Sequence, residues 1–261
     1  MRRIAGLLPP FRGLLPLVIG LVGWQLIQSG PSPNFPPPSR WWTVVVQLAH
    51  NGTLGTAIVD TLTTFFVGLA LACFVGFFLG LAIGTIAVVR RWSGMLLEYL
   101  RALPPTVMIP IFVLILGYST QMKVLVVALT SSWPILLNTI AGVDSIRGLL
   151  LDVARALRMP WHVTMWKIVI PAVIPAFLVG VRVAVALSIV LTLLVEMFTG
   201  LPGIGQLMIA GQRNFNSAQV FGLLAVVGVI AYAISLAFTI LEGIVLSRWP
   251  PRPGFGDEMR R

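Results

Sequence analysis

The side chains best able to do chemistry are a few ionisable and polar residues set inside long apolar stretches. Glu196 stands at the end of one such stretch and Arg182 lies within it. An ionisable group among apolar residues is costly to bury and therefore marks a candidate functional site. We expect Glu196 to be a hydrogen-bonding or gating residue, with solute binding as the alternative. Arg182 could extend its guanidinium to the nearer aqueous boundary, or it could contact an anion.

Four neutral polar residues share this apolar setting and could either line a polar route or hydrogen-bond across helices. They are Ser131, Ser132, Asn138 and Thr192. Together with Arg182 and Glu196 they form the candidate solute-pathway set. Two further acids, Asp60 and Glu242, stand near the end of an apolar run and are expected to be interfacial charges.

Catalytic and metal-binding patterns are missing from the sequence. It holds no Ser-His or Asp-Asp arrangement at depth and no H-E-x-x-H sequence, which an intramembrane enzyme would need. His50 and His162 are far apart and lack acids at ligand spacing, so no metal site is expected. Cys73 is the single cysteine and is interpreted as a small buried hydrophobe. The chain is therefore predicted to be non-catalytic.

The elements that position these residues are predicted to be membrane helices. Hydrophobic residues make up 57% of the 261 residues and charged residues only 10%, whereas soluble domains carry about 25% charged residues. We therefore predict one all-α integral membrane domain over residues 1–261 with six spans, since a spanning helix needs roughly 20 residues and tilt allows shorter or longer runs. The six apolar runs are Leu14–Ile27, Leu62–Val89, Thr106–Leu116, Val124–Ile140, Ile174–Val195 and Val220–Leu246.

The basic residues are distributed unequally between the two sides of this topology. Fourteen of the 18 Lys and Arg residues fall on one side, while Arg40, Lys123 and Arg213 fall on the other and Arg182 lies within a span. This positive-inside asymmetry places the basic side and both termini in the cytoplasm. It also accounts for the net charge of +10, so nucleic acid is not an expected partner. The first run lacks a small-residue cleavage site and is interpreted as a retained span.

Small residues and prolines predict how several of these segments pack. The second run has a small residue at every fourth position, so we expect another helix of the same subunit to approach it closely, with a mobile gating contact as the alternative. These residues are Gly68, Ala72, Gly76, Gly80 and Gly84. Prolines 104, 105 and 110 interrupt the third run, which places it inside a bundle. The proline-rich connection from Ser29 to Thr53 is expected to be extended.

A charged segment, residues 144–171, interrupts the apolar runs on the cytoplasmic side. Asp144 or Ser145 is predicted to cap a helix whose apolar positions recur every three or four residues up to Leu157. Pro160 then begins a second short helix, Trp161 to Val169, which Pro171 ends. From composition alone the segment could equally be an amphipathic loop on the membrane surface.

The charged segment resembles the coupling loop of the inner-membrane permease subunits of ATP-binding-cassette (ABC) importers. That loop has the pattern Glu-Ala-Ala, three residues, Gly, nine residues, Ile, one residue, Leu-Pro. The same register here holds Asp152, Val153, Ala154, Arg158, Ile168, Ile170 and Pro171. Arg158 replaces the glycine of the turn, where a positive φ favours a residue without a side chain.

The flanks of the segment look like the permeases of the nitrate, sulfonate and taurine importer branch. The matching residues are Arg101 to Pro110, Gly117, Trp133 to Thr139, Pro175 to Gly180, Arg182, Glu196, Gly203-Ile-Gly205, Leu241-Glu-Gly and Arg248-Trp249. The resemblance covers about residues 54–249. It implies the fold of a type I ABC importer permease in a bacterial inner membrane.

The resemblance also implies partners and a coupling role. The two short helices would sit in a groove of a cytoplasmic ATPase subunit, with Leu157, Met159 and Trp161 as apolar contacts. Asp152, Arg155 and Arg158 would form the charged rim, and Val153, Ala154 and Pro160 complete the coupling set. Because the sequence lacks the pattern G-x-x-x-x-G-K-[ST], ATP and Mg would bind to two partner ATPase subunits.

A second copy of the permease and an extracytoplasmic solute-binding protein are the other implied partners. The function implied is ATP-driven import of a small solute, such as nitrate, a sulfonate, taurine or another small organic molecule. The alternative is a secondary transporter or channel that works without an ATPase.

Overall fold

The computed structural model describes residues 14–27, 34–146 and 148–247, which are arranged as helices joined by short turns. The helices are α1 (Leu14–Ile27), α2 (Pro38–His50), α3 (Thr53–Thr85), α4 (Ala87–Ala102), α5 (Pro105–Leu116), α6 (Thr120–Asp144), α7 (Gly148–Ala156), α8 (Trp161–Thr164), α9 (Ile170–Thr199), α10 (Ile204–Arg213) and α11 (Ser217–Ser247). A π-helical turn, Met165–Val169, joins α8 to α9. The basic clusters predicted at the termini, the prolines at 31 and 33, and Arg147 lie outside the described residues.

Three long helices form the centre of the fold, with α6 lying between α3 and α9. The small-residue face of α3 packs on α6, where a Cβ added to Gly68 would lie 2.8 Å from Val127 and one added to Gly80 would lie 2.7 Å from Thr139. The close approach of a helix of the same subunit is thereby confirmed. On the opposite side of α6, a Cβ at Gly180 of α9 would lie 2.8 Å from the carbonyl oxygen of Pro134.

The expected count of six spans is only partly met by the described residues. Four helices are long and apolar enough to cross a membrane: Thr53–Thr85, Thr120–Asp144, Trp161–Thr199 and Ser217–Ser247. The third predicted run contains α5, which has 12 residues and follows α4 after a bend of 95°, so the pair makes at most one broken fifth span. Prolines 104 and 105 explain the break. Proline has no backbone N–H to continue the hydrogen bonding of α4, but it is tolerated in the first turn of a helix, so α5 starts there. The first run forms α1, with 14 described residues.

The connection between α1 and α3 also differs from the extended segment predicted for it. Pro38 occupies the start of α2, where the missing N–H of proline is harmless because the first turn leaves it unpaired. The Trp41 ring stacks on Phe221 of α11 with ring centroids 5.3 Å apart, and its Nε1 donates to the Pro36 carbonyl at 2.8 Å. The ring stacking fastens α2 to the first turns of α11.

Helices α6 and α9 run in opposite directions, and both extend from one end of the bundle to the other. One end of this pair, here called the inner end, carries the segment 145–169, which contains α7 and α8. At the other end, here called the outer end, lies α10, which packs on α9, α11 and α3. The candidate sites therefore lie at the two ends of one helix pair.

Candidate coupling surface and polar clusters

The turn after α7 keeps the left-handed geometry that the resemblance requires, although arginine occupies it. Arg158 has φ 49°. The Met159 N–H donates to the Ala154 carbonyl at 2.9 Å and the Arg158 N–H donates to the Arg155 carbonyl at 3.0 Å. These two bonds are the pair that defines a Schellman helix end, in which the residue with positive φ follows the last helical turn. Arg158 therefore adopts the glycine conformation at a cost that backbone bonds offset.

Both predicted ends of the charged segment are wrong in detail. Asp144 and Ser145 do not cap α7, because α6 continues four residues past the predicted end at Ile140 and Ser145 becomes its C-cap. Asp144 instead forms an ion pair with Arg90 of α4. Pro171 does not end a helix, since Trp161–Thr199 is continuous. The wider π-helical turn directly before it gives room for the proline ring, which would clash with a carbonyl four residues earlier in regular α-helix.

The coupling segment presents apolar side chains that remain exposed among the described residues. Leu157 is 69% exposed and Trp161 is 71% exposed, and Val153 is also exposed, whereas Met159 is half-buried. Ala154, by contrast, is buried. Apolar side chains that are grouped and exposed on such a segment mark an interaction site.

Charged groups surround these apolar side chains. Arg155 donates from Nη1 to Asp152 Oδ1 at 3.0 Å, and both side chains are exposed. Behind them lies a cavity of about 460 Å³, lined in part by Arg90, Asp144 and Arg155. The segment thus stands away from the bundle as two short helices with an apolar centre and a charged edge, the form expected of a docking surface.

The neutral members of the pathway set hydrogen-bond inside the helix core. Ser188 donates to Ser131 at 2.8 Å across α9 and α6, and Thr192 donates to the Ser188 carbonyl at 2.8 Å. Ser132 bonds to the Leu129 carbonyl and is buried, while Asn138 donates to the Pro134 carbonyl at 2.8 Å and is half-buried. Only the bond between Ser188 and Ser131 joins two helices, while Ser132, Asn138 and Thr192 bond to carbonyls of their own helix.

Glu196 is completely buried in a cluster of polar groups at the outer end of the core. Thr61 of α3 donates its hydroxyl to the two carboxylate oxygens at 3.1 and 3.0 Å, and the Gly205 N–H donates to Oε2 at 3.0 Å. Lys123 of α6 lies 3.5 Å from Oε1 and is 2% exposed. Sequence reasoning found no partner for Glu196, although one signal was available. Lys123 begins α6 and Glu196 ends α9, so antiparallel packing puts the two charges level.

Arg182 pairs with Glu242 of α11, through Nε at 3.1 Å and also through Nη2. Glu242 was expected to be an interfacial charge, but it is buried. Arg182 was expected to reach the aqueous boundary or an anion, and part of its guanidinium is taken up by this carboxylate. Its side chain is still 59% exposed, so donors remain on the outside of the pair.

Groups of His, Cys, Asp and Glu that could hold a metal ion are not found among the described residues. The two sites that the structure does build are the exposed coupling segment and the buried charge pairs. Neither arrangement brings a nucleophile and a base together.

The comparison with protein families decides the identity of the chain. Residues 72–249 match the family described as binding-protein-dependent transport system inner membrane component. The chain belongs to this family. That membership makes it the inner-membrane permease subunit of an ABC import system, in a family whose permease subunits are not themselves catalytic.

Individual relatives agree with the family. Nitrate import permease protein NrtB of Synechocystis sp. is 27% identical over 244 residues, which is 90% of this chain and 89% of the relative. Bicarbonate transport system permease protein CmpB of the same organism is 27% identical over 94% of this chain and 90% of its own length. Putative aliphatic sulfonates transport permease protein SsuC of Bacillus subtilis is 24% identical over 85% and 79%.

Solved structures share the fold at lower identity. A chain of the inward-facing MetNI methionine ABC transporter superposes with a TM-score of 0.66 at 17% identity, covering 74% of this permease and 96% of that chain. A chain of an amino acid ABC transporter with histidines gives 0.61 at 17% identity, covering 78% and 97%. The permease therefore has the all-helical fold of ABC importer membrane subunits.

Proposed function

We propose that this permease forms half of the solute pathway of an ATP-driven importer and transmits ATP hydrolysis on a separate subunit to uptake. The observation that carries the proposal is the exposed coupling segment between α6 and α9, with its apolar centre and its glycine-like turn at Arg158. The proposed coupling residues are Asp152, Val153, Ala154, Arg155, Leu157, Arg158, Met159, Pro160 and Trp161.

The proposed assembly contains two copies of a permease, two cytoplasmic ATPase subunits that bind ATP and Mg, and an extracytoplasmic solute-binding protein. The chain is a single permease domain, 1–261, with its coupling loop at 144–171 and both termini in the cytoplasm. Six crossings are proposed: α1, α3, the bent pair α4 and α5, α6, the continuous helix ending in α9, and α11. The closely packed core of α3, α6 and α9 supports one domain, because no linker divides it.

The proposed solute is a small anion such as nitrate, bicarbonate or a sulfonate. The names of the relatives support this class, since all three of these solutes carry negative charge. Ser131, Ser132, Asn138, Arg182, Thr192 and Glu196 are the proposed pathway residues. Arg182 offers the only cationic exposed side chain of that set, so we assign it an electrostatic contact with the solute, beside its pair with Glu242.

Copurification tests the coupling proposal. Tagged wild-type permease should retain its ATPase in detergent, whereas Leu157→Asp should release the ATPase because it puts a charge at the apolar centre of the docking surface. Phe215→Asp is the matched control, since Phe215 is 91% exposed at the opposite end of the molecule. Retention of a fully active ATPase by Leu157→Asp, or its equal loss from both variants, would refute the assigned surface.

A further inference from the structure

The outer ends of three helices are joined to the start of α10 by one buried cluster. Thr61, Lys123 and Glu196 supply its side chains, and we call these three residues the outer cluster. Its bonds continue into the backbone of the turn before α10: Lys123 Nζ donates to the Pro202 carbonyl at 2.7 Å, and the Ile204 N–H donates to Thr61 Oγ1 at 2.9 Å. The cluster therefore connects α3, α6 and α9 to a short helix that lies beyond them.

The Glu196 carboxylate acts as the cap of α10. It accepts the Gly205 N–H directly, and it holds Thr61 in position to accept the N–H of Ile204. These are first-turn donors that have no partner within the helix. A carboxylate at this end is also favoured by the helix dipole. The attachment of α10 is thus electrostatic and buried. It differs from an ordinary helix cap because the capping carboxylate comes from another helix, α9.

Two glycines let the chain return closely enough for this attachment. Gly203 has φ 151°, and a Cβ there would overlap the Glu196 carboxylate. At Gly205 a Cβ would lie 2.5 Å from the Leu193 carbonyl and 2.8 Å from Glu196 Cβ. Side chains at either position would push α10 off the end of α9. Glycine at positions 203 and 205 therefore permits the contact between α10 and the Glu196 carboxylate.

The same two helices that hold α10 carry the coupling segment at their other ends. From Lys123 to Asp144, α6 spans about 32 Å at 1.5 Å per residue. Along this length α6 and α9 are tied by the bond between Ser131 and Ser188 and by the close approach at Gly180. A movement applied at the coupling segment would reach the outer surface along a packed helix pair, because packed cores move as rigid units.

We propose that the outer cluster fixes α10 to the outer ends of α6 and α9, so that α10 moves with them as one body when the coupling segment moves. Thr61 and Lys123 are positioning residues that orient the Glu196 carboxylate and also bond directly to the backbone at the start of α10. The consequence for transport rests on the proposed importer function, whereas the attachment of α10 does not.

Hydrogen exchange of the full-length permease in lipid nanodiscs tests the attachment without any partner. Lys123→Met with Glu196→Gln removes both charges, leaves no unpaired charge, and keeps the side chains nearly isosteric. Charge-assisted bonds are about twice as strong as neutral ones. Amides of α10 should therefore exchange about tenfold faster in this double variant, while amides of α11 keep their rates.

Thr61→Val should likewise raise the exchange of α10 amides. Thr64→Val is its matched control, because Thr64 is equally buried one turn away and bonds only to the Asp60 carbonyl of its own helix. Unchanged exchange of α10 in the charge-free double variant, or an equal rise in the Thr64→Val control, would overturn the attachment.

Uptake by proteoliposomes tests the consequence. Vesicles would hold the permease with its ATPase and binding protein, and labelled nitrate, bicarbonate and methanesulfonate would be the probes. The double variant should melt close to wild type yet take up solute at least about tenfold more slowly per ATP hydrolysed, following the weakened attachment. If the double variant instead melted close to wild type and took up solute at the wild-type rate per ATP hydrolysed, the proposed movement would be overturned. If wild-type vesicles showed no ATP-dependent uptake, the importer proposal would fail and the exchange experiment would still decide the attachment.

Discussion

Substituting alanine for a glycine of α3 should have opposite effects at two positions along that helix, Gly80 and Gly55. At Gly80, the added Cβ would lie 2.7 Å from Thr139 Cβ and 2.9 Å from the Leu136 carbonyl oxygen, well inside the 3.5–4.0 Å or so at which non-bonded atoms attract. Neither neighbour is the free end of a flexible side chain, so α3 and α6 must separate. At Gly55 of the same helix, no atom of another described element lies within 4 Å of the added atom.

The two substitutions differ in packing alone, since both gain the helix preference of alanine. That preference is worth roughly 0.5–1 kcal/mol, while overpacking a tight contact costs about 1–3 kcal/mol. We expect Gly80→Ala to lower the free energy of unfolding by about 1–2 kcal/mol and Gly55→Ala to raise it by up to about 1 kcal/mol. At about 2–4 °C per kcal/mol for a chain of this size, the variants should melt several degrees apart.

Thermal melting of the purified permease in nanodiscs of one lipid composition is the assay. Gly55→Ala controls for helix preference and for the handling of a variant protein. If Gly80→Ala melted at or above the temperature of Gly55→Ala, the close packing of α3 on α6 would be refuted.

Two further predictions concern the turn at Arg158 and the ion pair between Arg182 and Glu242. Arg158→Gly should stabilise the turn after α7 by about 0.5–1 kcal/mol. A left-handed residue with a side chain costs about 1–2 kcal/mol, and glycine removes that cost but loses part of the gain to its greater chain entropy when unfolded. Slower amide exchange at residues 157–159 would support this prediction, and faster exchange would contradict it. Arg182→Met should lower the free energy of unfolding by about 3 kcal/mol, because it leaves the buried Glu242 unpaired. Glu242→Gln should lower it by only about 1 kcal/mol, because the half-exposed Arg182 can still be solvated. Equal melting temperatures for the two variants would contradict the pairing.

The parts of the fold that the sequence predicted rest on local patterns. The spacing of four between Gly68 and Gly84 predicts a close helix contact, because it places every small residue on one face. The register from Asp152 to Pro171 predicts the coupling segment, and Arg158 takes the glycine conformation that this register demands. Helix ends were less predictable. Pro171 was interpreted as a stop, yet a π-helical turn carries the helix through it.

The partners of the buried charges could not be predicted from local patterns. Lys123 and Glu196 are 73 residues apart, and Arg182 and Glu242 are 60 apart. Each pair forms only when two antiparallel helices are placed at a particular relative height. Thr61 carried no sequence signal, since a threonine in an apolar helix more often bonds to its own backbone, as Thr64 does.

ATP-dependent uptake in reconstituted vesicles tests the central claim most directly. Vesicles with the permease, its ATPase and its binding protein should accumulate a small anion only when ATP is supplied on the ATPase side. Leu157→Asp should abolish that uptake, while Phe215→Asp should leave the ATPase bound. Accumulation driven by an ion gradient in vesicles that hold this permease alone would contradict the account.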